Sequence, residues 1–158
     1  MKKIKSNEKG FSLVELLVVV IIIAIVAAIA IPSLLASRRA ANEASAISSM
    51  RTIHSAQATY FGTTGLNANY TDLAGLLGDQ LIDATLAGGT KSGFTITAAT
   101  GAAGIYCATA VPTTAGITGT GNRSFAVSQP GVVFGIVGGV APACAALTGI
   151  ISTGAPIQ

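Results

Sequence analysis

Charged and aromatic residues are scarce in this 158-residue chain. Asp, Glu, Lys and Arg together make up 9% of it, aromatic residues make up 5%, and tryptophan is absent. Average proteins carry roughly a quarter charged residues. Four of the nine basic residues lie in the first nine positions, and beyond that leader five basic residues face five acidic ones. A neutral remainder without interleaved basic and aromatic residues predicts no direct nucleic-acid site.

Histidine is also scarce, since His54 is the only one. One histidine cannot supply a nucleophile–base constellation, and the chain has no G-x-x-x-x-G-K-[ST] phosphate loop. With two cysteines outside any C-x-x-C spacing, it cannot complete a zinc site either. Asp72, Asp79 and Asp83 do not follow a calcium-loop pattern. We therefore expect no enzyme activity, no catalytic residue, no metal and no cofactor, and interpret His54 as a packed, hydrogen-bonded core residue.

The chain does contain a long apolar run behind its basic leader. This run has 21 residues, from Phe11 to Ile31, and only Ser12 and Glu15 interrupt it. As a helix it spans about 30 Å, the thickness of the hydrocarbon core of a bilayer. Lysines in front of such a segment predict a cytoplasmic N-terminus and an exported remainder.

Three interpretations of this run are open from the residues alone. A secretory signal peptide would be cut after it, near the Ala-rich stretch AAIAIPSLLAS. A plain single-span anchor would explain the length and the orientation but would leave Glu15 unexplained, because a carboxylate inside a membrane segment is costly. Cleavage before the run, between Gly10 and Phe11, would retain it in the mature protein.

A helical pattern continues beyond Pro32. The stretch from Ser33 to Phe61 contains no Gly or Pro, and one set of residues recurs at helical steps of three and four: Ala40, Ala44, Ile47, Met50, His54, Ala58 and Phe61. We expect one helix over about residues 11–61, with an apolar first half and an amphipathic second half. Pro32 would introduce a kink or an unwound turn; the alternative is a boundary between two separate helices.

The rest of the chain predicts a small antiparallel sheet. Residues 62–90 are broken by glycines and contain one short helix candidate, TDLAGLL. Four later runs have strand length and β-branched or aromatic character: residues 93–100, 104–111, 123–129 and 131–137. Pro130 and Gly131 indicate a tight hairpin turn between the last two. Three or four strands packed on the amphipathic half-helix give an α+β fold.

Cys107 and Cys144 are the two cysteines. In an exported chain an even cysteine count favours a disulfide, which here would fasten the Gly-rich tail 138–158 to a strand. Two buried thiols are the alternative.

Charged residues just beyond the apolar run have two possible roles. Arg38, Arg39 and Glu43 could form ion pairs between subunits or a solvated collar, and the collar is the default expectation for exposed charges.

The segment KGFSLVELLVVVIIIAIVAAIAIP, residues 9–32, closely resembles the class III signal segment of type IV pilins and of the pseudopilins of type II secretion systems. In these proteins a basic leader ends in Gly, followed by Phe, three residues, Glu, a long apolar stretch and a Pro. The matching positions are Gly10, Phe11, Glu15 and Pro32. The downstream half resembles pilins in layout only.

The resemblance implies a processing route and a place in the cell. A prepilin peptidase would cut after Gly10 and methylate the new amino group of Phe11, leaving 148 of the 158 residues. The mature subunit would sit in the inner membrane as a single-pass protein with a cytoplasmic N-terminus. An inner-membrane assembly platform would then add it to a helical homopolymer, an extracellular pilus, with Glu15 facing a neighbour's Phe11 amine and Pro32 marking a bend.

These implications divide the chain into five segments: leader 1–10, membrane or filament-core half-helix 11–32, amphipathic half-helix 33–61, connecting region 62–90, and sheet with disulfide-tied tail 91–158. We expect a major pilin serving adhesion, motility or DNA uptake. The alternatives are a pseudopilin of a type II secretion system or, from a different class, a membrane-anchored periplasmic binding module or enzyme.

Overall fold

The computed structural model describes residues 10–101, 104–144 and 149–157. The chain divides into two compact units, Met1–Leu35 and Ala36–Gln158. The described residues contain one long helix, two short helices and six strands.

The long helix, α1, runs from Leu13 to Gly62 over 50 residues. Its first turn is closed by the Leu16 amide, which donates to the Ser12 carbonyl at 3.2 Å. The helix continues through Pro32 without a break, so the alternative of two separate helices is wrong, and so is a locally unwound turn at this residue in the single chain. Alanine and straight or branched aliphatic residues on both sides keep the helix intact around the single hydrogen bond that proline removes. A kink at Pro32 stays a prediction.

The buried face of the second half of α1 is rotated relative to the predicted one. Its buried residues are Ala46, Ser49, Met50, Ile53, Ala56 and Gln57. Of the predicted face only Met50 is fully buried, whereas Ala40, Ala44 and Ala58 are exposed. Ser49 and Gln57 occupy the core face because both have hydrogen-bond partners there: the Ser49 hydroxyl donates to the Ser45 carbonyl at 3.0 Å, and Gln57 pairs with the backbone of Thr71.

The connecting region contains two short helices, α2 from Leu73 to Gly78 and α3 from Ala84 to Ala87. The helix candidate TDLAGLL is thus confirmed as α2, and α3 was missed. Each helix begins at an aspartate: the Asp72 and Asp83 carboxylates accept hydrogen bonds at 2.9 Å from the amides of Gly75 and Leu86. An aspartate in this position satisfies an otherwise unpaired helical amide, which gives both side chains a structural role.

Six strands form one antiparallel sheet in which chain neighbours are sheet neighbours. They are β1 (Thr90–Lys91), β2 (Phe94–Thr100), β3 (Tyr106–Pro112), β4 (Arg123–Ser128), β5 (Phe134–Val137) and β6 (Ala155–Pro156). The four predicted strands are confirmed as β2 to β5. β1 and β6 have two residues each, too few to show a period of two.

The predicted hairpin turn between β4 and β5 is present. The Gly131 amide donates to the Ser128 carbonyl at 2.9 Å, and Gly131 has a φ of +76°, a conformation that glycine adopts without steric cost. β5 begins only at Phe134, three residues later than expected, because residues 131–133 belong to the turn and its continuation and not to the strand.

The core lies between α1 and one face of the sheet, which confirms the α+β fold. Met50 and Ile53 of α1 join the inward side chains of β2 to β4 and the leucines of the two short helices. Several of these, including Phe94 and Phe125, are fully buried. Each large apolar side chain buried in this way contributes about 1.5–3 kcal/mol.

A disulfide joins Cys107 of β3 to Cys144, with a Cα–Cα distance of 6.4 Å. Cys144 also forms an isolated antiparallel bridge with Ile151. The tail is therefore fastened to the sheet as expected, and the alternative of two buried thiols is wrong.

Candidate processing and assembly site

The N-terminal unit presents an apolar surface. All large apolar side chains from Phe11 to Leu34 are 48–79% exposed. Soluble monomers rarely expose continuous apolar surfaces of this kind, which mark contact with a membrane or with other chains.

Length and composition make α1 a candidate membrane span. None of its most apolar 18-residue window is buried, whereas the core helix of a soluble protein would be mostly buried. A signal sequence near an N-terminus has the same length and composition, so this property alone does not separate a retained anchor from a removed peptide.

The Gly10–Phe11 bond lies outside α1, which begins at Leu13. Gly10 is exposed, and Phe11 is 79% exposed. A Cβ atom added to Gly10 would meet no heavy atom within 4 Å. The fold therefore does not require glycine at this position, and the bond is accessible to an enzyme.

Glu15 is the third residue of α1 and lies in its first turn. A carboxylate there interacts favourably with the positive end of the helix dipole. Ser12 and Glu15 also have the S-x-x-E spacing of a capping box, a local signal that our sequence reasoning missed. Among the described residues no ion pair involves Glu15, so none of these residues neutralises its charge.

The family of the prokaryotic N-terminal methylation motif matches residues 5–31. These residues include the accessible bond at Gly10, the carboxylate of Glu15 and most of the exposed apolar run. No curated protein and no solved structure matches the chain significantly. The methylation motif, the long N-terminal helix and the antiparallel sheet together decide the family. The chain is a type IV pilin-like protein.

Membership of the type IV pilin and pseudopilin superfamily carries general properties. A class III signal implies processing by a prepilin peptidase, and pilin-like proteins assemble into filaments. The apolar helix and the motif indicate a membrane-anchored protein that is later found in the periplasm or at the surface. Such proteins are typically structural and non-enzymatic.

In this pilin-like protein Glu43 joins α1 to the start of β4. One carboxylate oxygen accepts from the amides of Asn122 and Arg123 at 2.8 and 3.2 Å, and the other accepts from Arg123 Nε at 2.9 Å. Burial raises the pKa of Glu43, but the hydrogen bonds from Asn122 and Arg123 outweigh it and hold the pKa below its usual range. The expectation of a solvated collar is therefore wrong for Glu43.

Two further side chains attach the loop 113–122 to the same part of α1. Arg39 Nη1 donates to the Gly116 carbonyl at 3.5 Å, and Asn42 Nδ2 donates to the Thr120 carbonyl at 3.0 Å. The loop after β3 is thus held along successive turns of the helix by partners about 80 residues distant in the chain.

His54 is half-buried and hydrogen-bonded, as predicted. Its Nδ1 lies 2.6 Å from the Tyr106 hydroxyl, which donates to the Ser128 carbonyl at 3.1 Å. Since that hydroxyl has one hydrogen, Nδ1 carries a proton and donates to Tyr106. Burial, with a smaller contribution from Tyr70, raises the pKa of Tyr106 strongly, so the phenol stays protonated and the pair is structural.

The described residues contain no group of three or more His, Cys, Asp or Glu side chains that could hold a metal. A cavity of about 230 Å³ lies on the outer face of β2 and β3 beside the disulfide. Thr97, Thr109 and Cys107 are among its lining residues, and no carboxylate, imidazole or amine is. This cavity offers no group for acid–base chemistry.

Proposed function

We propose that the protein is the major subunit of a type IV pilus, a surface filament for adhesion, motility or DNA uptake. One observation carries the proposal. An apolar helix long enough to span a membrane begins three residues after Gly10, and its large side chains up to Leu34 are exposed. Such a surface can be covered first by lipid and afterwards by the same segment of other subunits. The inner membrane would hold the subunit until an assembly platform adds it to the filament.

Processing creates the groups that assembly needs. A prepilin peptidase would cut the accessible bond after Gly10 and methylate the new amine of Phe11. That amine would be a cation four residues before the Glu15 carboxylate in sequence. In the filament, the Glu15 carboxylate of one subunit would accept the Phe11 ammonium of its neighbour.

Pairing of these groups would set the register between subunits. Removing one partner of a buried ion pair leaves the other charged and desolvated, which costs about 3–5 kcal/mol. An incoming helix would therefore be held at the one position where its carboxylate meets an amine. A bend at Pro32 would adapt the helix to its neighbours, since proline removes one backbone hydrogen bond there.

The experiment is mass analysis of the N-terminus together with isolation of sheared surface fibres. We expect N-methyl-phenylalanine from Phe11 at the start of the chain, and long fibres in which this chain is the main protein. An intact Met1, or cleavage after the apolar run, would refute processing at Gly10.

The same experiment separates the alternatives. Methylated Phe11 without surface fibres at normal expression would favour a pseudopilin of a type II secretion system, in which the same segment is expected. An unprocessed chain that stays in the membrane would favour a membrane-anchored periplasmic module.

A further inference from the structure

Exposed aliphatic side chains of the second unit cluster beside the loop 113–122. Ile117 in this loop is 81% exposed, and Val137 and Val140, in a neighbouring segment, are 70% and 76% exposed. Two contacts bring the segments together: the Gly138 amide donates to the Asn122 carbonyl at 2.8 Å, and a Cβ on Gly139 would lie 2.9 Å from the Ala115 Cβ. We call the surface formed by residues 113–122 and 137–140, with the basic residues around it, the loop face.

Basic residues are concentrated at the loop face. Beyond the leader the chain has five basic residues. Three of them, Arg39, Lys91 and Arg123, are placed at this surface by their own contacts or by those of the adjoining turn, and Arg38 precedes Arg39 in the helix. Arg39 donates to Gly116, and the turn after Lys91 presents the Gly93 carbonyl to the hydroxyls of Thr113 and Thr120.

The carboxylate that contacts this surface is already neutralised, and Asp72 and Asp83 accept hydrogen bonds within their own short helices. Glu43 is the acid whose contacts place it at the loop face, and it is already paired with Arg123. Asp72 is far from the loop face. It is next to Thr71, which binds Gln57. Gln57 is 15 residues, or about 22 Å of helix, beyond Asn42, which binds the loop. The loop face is therefore both aliphatic and positively charged.

The loop face is joined to the apolar run by a short stretch of chain. Arg39, whose side chain binds the loop, follows Pro32 by seven residues in the sequence. Aliphatic side chains surrounded by basic ones are typical of protein surfaces that bind anionic lipid headgroups. We infer that the loop face docks on the anionic headgroup surface of the membrane that holds the subunit before assembly; this inference depends on the membrane-anchored state of the proposed function.

A second copy of the chain fits this surface less well. Packing two loop faces against each other in a symmetric dimer would bring like charges together, because both sides of such an interface are the same patch. Anionic headgroups supply the opposite charge, and their acyl boundary accepts Ile117, Val137 and Val140.

The test uses the full chain in lipid nanodiscs, with methyl-labelled Ile, Leu and Val and a lipid that carries a nitroxide on its headgroup. In discs containing phosphatidylglycerol, we expect relaxation enhancement at Ile117 and Val140 several-fold larger than at Leu66, which is 82% exposed in another loop. Replacing phosphatidylglycerol by phosphatidylcholine, or introducing R38Q with K91Q, should reduce the difference.

Equal relaxation enhancement at Ile117 and Leu66 would overturn the inference. A difference between these two residues that is the same with phosphatidylglycerol and with phosphatidylcholine would overturn it as well. Protection of Ile117 that depends on protein concentration and not on lipid charge would assign the face to a second copy and also overturn it. I117S removes one apolar contact and leaves two reporters, so the enhancement at Val137 and Val140 should fall in this variant while the Cys107–Cys144 disulfide is kept. Fibres carrying methylated Phe11 are scored in parallel, so that failure of lipid contact alone is distinguished from failure of the proposed function.

Discussion

The two units of the chain handle their apolar residues in opposite ways. From Phe11 to Leu34 all large apolar side chains are 48–79% exposed. In the second unit, α1 and the sheet bury Phe94, Phe125 and Ile53 completely, and capped helices and a disulfide support them. The second unit is stabilised by its own contacts, whereas the first has a surface that lipid or other subunits must cover.

Two glutamates of α1 show the same contrast at single residues. Glu43 accepts three hydrogen bonds from Asn122 and Arg123 of its own chain. Glu15 has no ion pair among the described residues. Replacing Glu43 should therefore alter the stability of the subunit, and replacing Glu15 should alter its assembly.

The largest effect is expected from E15L. The variant should insert into the membrane and be cleaved, yet its fibre yield should fall by about 100-fold or more, since loss of one partner of a buried ion pair costs about 3–5 kcal/mol. The measurement compares the sheared fibre fraction with the membrane fraction. E15Q is matched to wild type in the shape of the side chain and lacks only its charge. It should fail similarly, because the effect depends on the charge. Normal fibre yield from E15L would refute the role of Glu15 in subunit register.

The disulfide offers the next test, confined to the second unit. Replacing Cys107 and Cys144 by Ser should lower the free energy of unfolding by about 3–4 kcal/mol, because an open loop gives the unfolded chain more freedom. Denaturant titration of the full chain in detergent measures this, with the reduced wild type as control. Membrane insertion should not change. An unfolding midpoint that does not change on reduction would show that the disulfide contributes nothing to stability.

A buried amide gives a third, smaller effect. In Q57L the amide and carbonyl of Thr71 would lose their partners, and a buried unpaired polar group costs about 1–3 kcal/mol. We expect the unfolding free energy to fall by that amount. T52A alters an exposed residue of the same helix and should change it by less than about 0.5 kcal/mol. Equal stability of the two variants would contradict the importance of this contact.

Features that depend on residues close together in the chain could be predicted from the sequence, whereas features that depend on distant residues could not. β2 and β3 were found because their alternation is visible within seven residues. β4 and β5 were found from their β-branched and aromatic residues, and α2 because its apolar residues are adjacent. The buried face of α1 was misplaced because Ser49 and Gln57 look polar until their partners are known.

A long-range contact explains the wrong expectation for Glu43. Glu43 was expected in a solvated collar because its partner Arg123 is 80 residues away in the chain, and no local pattern connects them. For the N-terminal segment the reverse holds: Gly10, Phe11 and Glu15 could be singled out from sequence because they form a short motif. Their partners are an enzyme and other subunits, so the fold of one chain leaves their roles as predictions.

The smallest effect concerns Glu43 and depends on pH. Its pKa is lower in the folded chain than the ordinary 4.5, so its contribution is fully present above that value and is lost as pH falls through the folded pKa. Arg123 is 43% exposed, which limits the ion pair to about 1 kcal/mol or less. E43Q should thus be less stable than wild type at pH 6, and the difference should shrink towards pH 3. Unfolding titrations across this range measure it. A difference that stays constant with pH would mean that Glu43 holds the loop by geometry and not by charge, which would remove the contrast with Glu15.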